Sequence, residues 1–382
     1  MMETSRRNFL LAGLALPAAL DAANFNPMAP QAKGSVKLTY RNLGKTGLKP
    51  TSVGFGCMIT SDQSVVEKAA DLGINYFDTA RVYQSGNNER MVGAALKSRR
   101  KDVILSTKTM SRTKEEALQH IDTSLKELGT DHVDIWHLHM KNKPEELTDG
   151  LLEAQEIAKK AGKTRFVGVS THALPDLLPG ILAKAPHFDV VLSMYNFTMS
   201  PELTTAFETA SKAGLGTIAM KIMAGGAGMG RPGQKPNPAM QREGAALAAL
   251  KWVLKNPYVH TTVPSMTDMD QLDENLKAFT ETFTGSDEKI LAERLEILRP
   301  LYCRTCGNCE GKCPQGVPVA DVLRYLSYAE GYGEFQLARE NYLLLPPGIR
   351  NARCEDCAAC AIRCPNGVRV AQRVRKAQEL FA

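Results

Sequence analysis

Cysteine is distributed unevenly along the 382 residues: Cys57 stands alone in the first 302, and the other eight fall between Cys303 and Cys364. They form the run Cys303-x-x-Cys306-x-x-Cys309-x-x-x-Cys313-Pro314 and, a second time, Cys354-x-x-Cys357-x-x-Cys360-x-x-x-Cys364-Pro365. Spacings of two set three thiolates around one corner of an iron–sulfur cubane. The fourth, held by the turn at the following proline, reaches the other cluster. Cys303, Cys306, Cys309 and Cys364 are therefore expected to hold one [4Fe–4S] cluster. Cys354, Cys357, Cys360 and Cys313 are expected to hold a second. Disulfide scaffolds are small and spread their cysteines along the chain. Zinc prefers two Cys-x-x-Cys pairs. Neither fits a doubled run that ends in Cys-Pro.

A second constellation lies in the cysteine-poor body. Asp78, Tyr83, Lys108 and His139 stand at or just after three consecutive strand-like runs. A phenol with a pKa near ~10 is a poor proton donor at neutral pH. A neighbouring ammonium stabilises the phenolate and lowers that value. A carboxylate keeps the ammonium in place, and a histidine orients a carbonyl oxygen toward the phenol. Together they make a proton relay for reducing a carbonyl by hydride transfer, or for the reverse oxidation. His137 competes with His139: alternation puts both on one face of a strand, so periodicity does not choose between them.

These residues need a scaffold that gathers strand ends. Strand-like runs occur at 53–56, 75–77, 103–106, 133–138, 165–169, 190–192, 217–220 and 260–263. Helix-length segments lie between them at 64–72, 88–97, 114–128, 145–160, 174–182, 201–212, 241–254 and 269–279. This alternation predicts an α/β chain of parallel βα units closed into a (β/α)8 TIM barrel, with the chemistry at the C-terminal strand ends. A doubly wound open sheet is the runner-up, disfavoured because no Gly-x-Gly-x-x-Gly follows the first strand. Residues 36–53 suggest a hairpin ahead of the barrel. Residues 286–298 read as a charged connecting helix. Helix-like stretches at 319–332 and 334–345 separate the two cysteine runs, so the tail is expected to be a small, mainly helical ferredoxin-like domain. The expected domains are 1–33, 34–285 and 286–382.

The N-terminus carries Arg6-Arg7-Asn8-Phe9-Leu10 ahead of a short apolar run to Leu20. This reads as a twin-arginine export signal, followed by a linker over 24–33. A periplasmic location follows from it, by the route that moves folded, cofactor-loaded chains. Apolar residues make up 43% and charged residues 23%, which excludes wholesale disorder. A net charge of +6 is too mild to indicate nucleic-acid binding. No run of 18 apolar residues exists, so no membrane span is expected beyond a retained signal segment.

Residues 40–280 resemble an aldo-keto reductase. The carriers are Arg41-Asn42-Leu43-Gly44-Lys45-Thr46-Gly47, then Asp78-Thr79-Ala80-Arg81-Val82-Tyr83 with Glu89 and Gly93 behind it. Asp131 to His139, and Gly162 to Arg165 leading to Gly168-Val169-Ser170, complete the set. The resemblance implies that Tyr83 is the general acid, Lys108 its tuner, Asp78 the partner of that lysine, and His139 the carbonyl-orienting group. It also implies NAD(P) binding through Ser170, Glu274 and Asn275. There are departures. Thr171 stands where Asn is usual, Leu192 and Ser193 where a Gln binds the carboxamide, and Met220 where an aromatic stacks on nicotinamide. Ser265 and Gln271 replace the cations that hold a 2′-phosphate, so little preference for NADP is expected. The tail is similar to dicluster ferredoxin domains over about 80 residues.

The leading expectation is an oxidoreductase acting on a small carbonyl or sugar-like alcohol, with the clusters passing electrons to a redox partner protein. The alternatives are an exported electron-transfer protein whose barrel is a docking scaffold, and a non-redox lyase or isomerase using Tyr83 and Lys108. Arg369, Arg373, Arg375 and Lys376 read either as a dock for an acidic partner or as a solvated helix face. Cys57 reads as a buried small hydrophobe.

Overall fold

The computed structural model describes residues 37–226, 243–354, 357 and 359–381; the expected export signal and linker lie outside them. Eight parallel strands follow one another around the sheet: β1 (Phe55–Gly56), β2 (Tyr76–Asp78), β3 (Ile104–Thr109), β4 (Val133–Leu138), β5 (Thr164–Thr171), β6 (Val190–Met194), β7 (Gly216–Met220) and β8 (Thr261–Thr262). Between and after them come α1 (Gln63–Asp71), α2 (Asn87–Leu96), α3 (Lys114–Leu128), α4 (Asp149–Lys160), α5 (Leu174–Ala183), α6 (Pro201–Lys212), α7 (Ala245–Leu254) and α8 (Met269–Leu276). The sheet closes on itself. Val53 pairs in parallel with Thr262, and the N–H groups of Gly54 and Gly56 donate to the carbonyls of Thr262 and Pro264, each at 2.8 Å. Gly56 permits that approach, because a Cβ there would stand 2.5 Å from the Val263 oxygen. An open doubly wound sheet is thereby excluded.

The expected hairpin forms beneath the barrel. Tyr40 pairs antiparallel with Thr51, and Leu43 N–H donates to Leu48 O at 2.9 Å. Leu43 and Leu48 plug the bottom of the interior against Tyr76, Ile104, Ile135, Val190 and Ile218. Alternation along the strands then fixes what lies above. Tyr76 and Asp78, Ile104 through Ser106 to Lys108, and Ile135 through His137 to His139 point inward. Phe77, Leu105, Trp136 and Leu138 face the helices. The interior is apolar at the hairpin end and polar at the C-terminal mouth. The helices have ordinary stops: α3 is capped by the Thr113 hydroxyl, which accepts from Glu116 N–H, and ends at the left-handed Gly129.

The remaining helices are α9 (Gly285–Leu298), α10 (Val319–Gly331), α11 (Phe335–Leu343), α12 (Pro347–Asn351) and α13 (Val370–Phe381). Helix α9 is bound to the barrel by charge. Lys251 of α7 pairs with Asp287 at 2.8 Å, and the buried Arg294 donates to the Met223 and Gly226 carbonyls at 3.1 and 2.7 Å. Helices α10, α11 and α13 share a core of Val322, Leu326, Ala329, Ala338, Val374 and Phe381. Met58 and Val82, from loops at the barrel mouth, pack against that core. The tail therefore sits over the end of the barrel where the polar residues are.

Candidate functional site

Lys108 is the hub of the polar mouth. It is 1% exposed, and its ammonium donates to Asp78 Oδ2 at 2.5 Å, to the Thr79 carbonyl at 2.6 Å and to the Tyr83 hydroxyl at 3.4 Å. An ammonium has three protons, and all three are used. Ser106 Oγ donates to the other Asp78 oxygen at 2.8 Å. Tyr83 begins a short 3₁₀ turn whose next residues, Gln84 and Ser85, are left-handed. The turn is held by Gln84 Nε2 donating to Thr60 O at 2.9 Å, and by Arg81, which pairs with the buried Glu89. The His139 ring stands edge-on to the Tyr83 ring, with centroids 5.8 Å apart. Asp78, Tyr83, Lys108 and His139 thus meet at one place, and all but Lys108 face a cavity of about 580 Å³.

Burial dominates the electrostatics of the phenol. The Tyr83 phenol is raised well above its ordinary pKa, first by burial and then by the Asp78 charge. Lys108 lies 2.5 Å from the carboxylate and 3.4 Å from the phenol oxygen, so in the resting site Asp78 takes most of its charge. Tyr83 is therefore a fully protonated phenol at neutral pH, with its oxygen accepting from Lys108.

Three histidines lie near it. Burial and Lys108 push His137 down to about 3 and hold His139 well below the usual imidazole range. His137 does not line the cavity; a Cβ on Gly168 would stand 2.5 Å from its Nδ1. His139, the other histidine on that face of the strand, does line it. His172, which the sequence did not single out, also lines it, and burial holds it neutral as well. Among the described residues, Nδ1 of His139 and of His172 has no hydrogen-bond partner.

The cavity runs on from Tyr83 past Met220, Lys221 and Ser265 to Gln271, Glu274 and Asn275 of α8. Glu274 and Asn275 are the side chains at that end of the cavity wall that could hold a dinucleotide. Ser170 is not on the cavity wall: its hydroxyl accepts from Met140 N–H at 3.0 Å, behind the mouth. Gln271, on the cavity wall, donates to Asp268 Oδ2 at 2.7 Å. Cys57 is buried, and its N–H donates to Asp78 O at 2.9 Å.

The eight tail thiols separate into two sets. Cys303, Cys306, Cys309 and Cys364 rim one hollow; Cys313, Cys354, Cys357 and Cys360 rim the other. Each hollow thus takes one cysteine from the opposite run. Among the described residues no three ligating side chains converge closely enough for a single metal ion. Thiols around a hollow suit a cluster better than a mononuclear centre. The first hollow touches the barrel, since Thr305 N–H donates to Cys303 Sγ at 3.4 Å and Thr305 Oγ1 donates to the His172 carbonyl at 3.3 Å.

The basic stretch of α13 is only partly a surface. Arg373 pairs with Glu330 at 2.6 Å, Lys376 pairs with the same carboxylate, and Arg375 lines the second hollow. Three of those cations are thus engaged within the tail. The tail also supplies cavity residues that no motif announced: Tyr328 of α10, Tyr332 just past its end, and Leu337 of α11. The four-residue spacing of Tyr328 and Tyr332 reads simply as the apolar stripe of a helix.

The sequence matches the aldo/keto reductase family over residues 59–245 and a 4Fe-4S dicluster domain over residues 302–368. It is 30% identical over 306 residues to L-galactose dehydrogenase of Arabidopsis thaliana, spanning 69% of this chain and 96% of that protein. The chain belongs to the aldo/keto reductase family. An oxidoreductase of Bacillus subtilis, YqkF, is 32% identical over 179 residues, covering 42% of this chain and 58% of its own. The holo form of an aldo-keto reductase from Bacillus halodurans superposes with a TM-score of 0.56 at 25% identity, over 68% of this chain and 96% of the other. This aldo/keto reductase is thus an oxidoreductase built as a barrel followed by a helical region with a 4Fe-4S dicluster domain. Aldo/keto reductases act on small carbonyl or alcohol substrates and usually use NAD(P). No helix among the described residues is long and apolar enough to cross a membrane.

Proposed function

We propose that the barrel interconverts a carbonyl and an alcohol on a small, sugar-like substrate, with Tyr83 exchanging the proton at the substrate oxygen. The observation that carries this is the Lys108 ammonium bridging Asp78 and the Tyr83 hydroxyl beside His139 on one cavity. Neutral His139 donates a hydrogen bond that orients the substrate oxygen. An oxygen turning into an alkoxide is a stronger base than a phenolate, so it takes the Tyr83 proton even from a phenol of raised pKa. Lys108, already hydrogen-bonded to that phenol oxygen, then stabilises the phenolate left behind. A bound nicotinamide supplies or accepts the hydride. Glu274 and Asn275 would hold its dinucleotide, and Ser265 and Gln271, standing in place of cations, favour NAD over NADP. The sugar-like assignment draws support from the relative named for L-galactose.

In this reading the tail holds two [4Fe–4S] clusters, one in each four-cysteine hollow, and passes electrons to a redox partner protein. The Arg6-Arg7 motif supports export to the periplasm by the twin-arginine route; replacing both arginines with lysine should leave the protein in the cytoplasmic fraction. The central test is Tyr83→Phe. It should lower kcat by about 10²- to 10⁴-fold while calorimetry finds substrate binding retained. Turnover equal to wild type would instead favour an electron-transfer protein with the barrel as a docking scaffold.

A further inference from the structure

Lys221 directly follows β7 and has a φ of +59°. A residue with a side chain stays in this left-handed region only where the surrounding structure holds it there. Two hydrogen bonds hold it there: its carbonyl accepts from Ala224 N–H and from Asn196 Nδ2, each at 3.0 Å. The side chain of Lys221 lines the cavity. Its ammonium lies 4.4 Å from the centre of the Tyr328 ring and 4.1 Å from that of Tyr332. Both rings belong to the tail. Aromatic faces tolerate a cation without neutralising it.

What the ammonium lacks is an anion. Lys108 and Lys251 are paired with Asp78 and Asp287; among the described residues Lys221 joins no ion pair. Glu334 of the tail acts on it from beyond ion-pair distance, and burial pushes that carboxyl up to about 7. Burial pushes the Lys221 ammonium down to about 7. Neither group secures the charge of the other. A buried cation at a cavity wall, braced by a strained backbone and two rings, is completed by a ligand anion. Its position favours substrate over dinucleotide. Tyr328, whose ring it faces, has its hydroxyl 3.5 Å from Nε2 of His172 on the reacting side, whereas Glu274 and Asn275 belong to α8.

We propose that Lys221, framed by Tyr328 and Tyr332, binds the carboxylate of a hydroxy- or oxo-acid substrate, such as an acidic sugar, whose reacting carbon lies at Tyr83 and His139. This deepens the carbonyl–alcohol reading and rests on it for the reacting carbon, but the anion site can be measured by binding alone. Holoprotein is titrated calorimetrically with matched pairs: glucuronate against glucose, glycerate against glycerol, and lactate against propylene glycol, with NAD⁺ as a separate arm. At least one acid should bind about 10- to 100-fold more tightly than its neutral partner. Lys221→Met should erase that difference and leave NAD⁺ affinity unchanged, and Lys221→Arg should keep most of it. Iron content confirms that each variant is folded. No acid preferred over its neutral partner, or a Lys221→Met defect confined to NAD⁺, overturns the proposal. Tyr83→Phe separates the two readings. If it turns over normally while Lys221→Met loses acid preference, the reaction assignment fails and the anion site stands.

Discussion

Lys108 gives one proton to each of three oxygens, and this division explains more of the site than any single contact. Asp78 and Lys108 are 4% and 1% exposed, so neither charge can be left without the other. Asp78→Ala strands a buried ammonium and should cost about 3–5 kcal/mol of stability, measured by denaturant midpoint. Asp78→Asn keeps a hydrogen-bond acceptor and should cost less, which separates loss of fold from loss of activity. The buried histidines set a pH response. His137, His139 and His172 are all held below their unfolded pKa of about 6.5. The unfolded chain therefore binds more protons than the folded one as pH falls below that value. Stability is full above it and declines beneath it, by up to about 1.4 kcal/mol per pH unit for each histidine. Urea midpoints at pH 8 and pH 5.5 should differ in that direction. His137→Asn should flatten the slope, and an unchanged slope would remove His137 from the account.

Elements were legible where their signals are local. The eight strand runs, the hairpin plug and the doubled cysteine spacing are written in alternation, turn residues and short repeats. The miss at β5 has a simple cause. The apolar run ends at Val169, but the strand continues to Thr171, so the cavity residue next in line, His172, was passed over. Tyr328 and Tyr332 were hidden for another reason: periodicity reports that a helix has a buried face but not what it is buried against. Ser170 lies off the cavity wall, its hydroxyl accepting from Met140 N–H. The cysteine grouping gives an element-level prediction. Cys364→Ser and Cys303→Ser should lose one cluster, and Cys313→Ser and Cys354→Ser the other, read by iron count and distinct EPR signals. Cys364→Ser and Cys354→Ser giving the same residual signal would rule out the exchange of ligands between runs. Helix α13 closes the tail core with Phe381, fully buried beside Phe335 and Tyr342. Phe381→Ala should cost about 3–5 kcal/mol, seen as a lower thermal midpoint.

At the scale of the whole molecule, the tail is joined to the barrel by more than a linker. Lys251 and Arg294 fix α9, Thr305 reaches the His172 carbonyl, and Met58 and Val82 enter the tail core. Removing iron anaerobically with a chelator should therefore change both halves. Limited proteolysis should begin cutting within 303–381, and the affinity for small acids should fall even though every barrel side chain is intact. Cuts that appear without any change in acid binding would show that the cavity wall does not depend on the metal.

Tyr328 and Tyr332 lie in the stretch between Cys313 and Cys354, so each end of the segment that walls the cavity is anchored at the second hollow. Filling that hollow would draw the segment taut, like a strap fastened by one buckle. Iron supply would then govern which molecules the enzyme admits. A cell starved of the metal would find this catalyst becoming indiscriminate before it became idle.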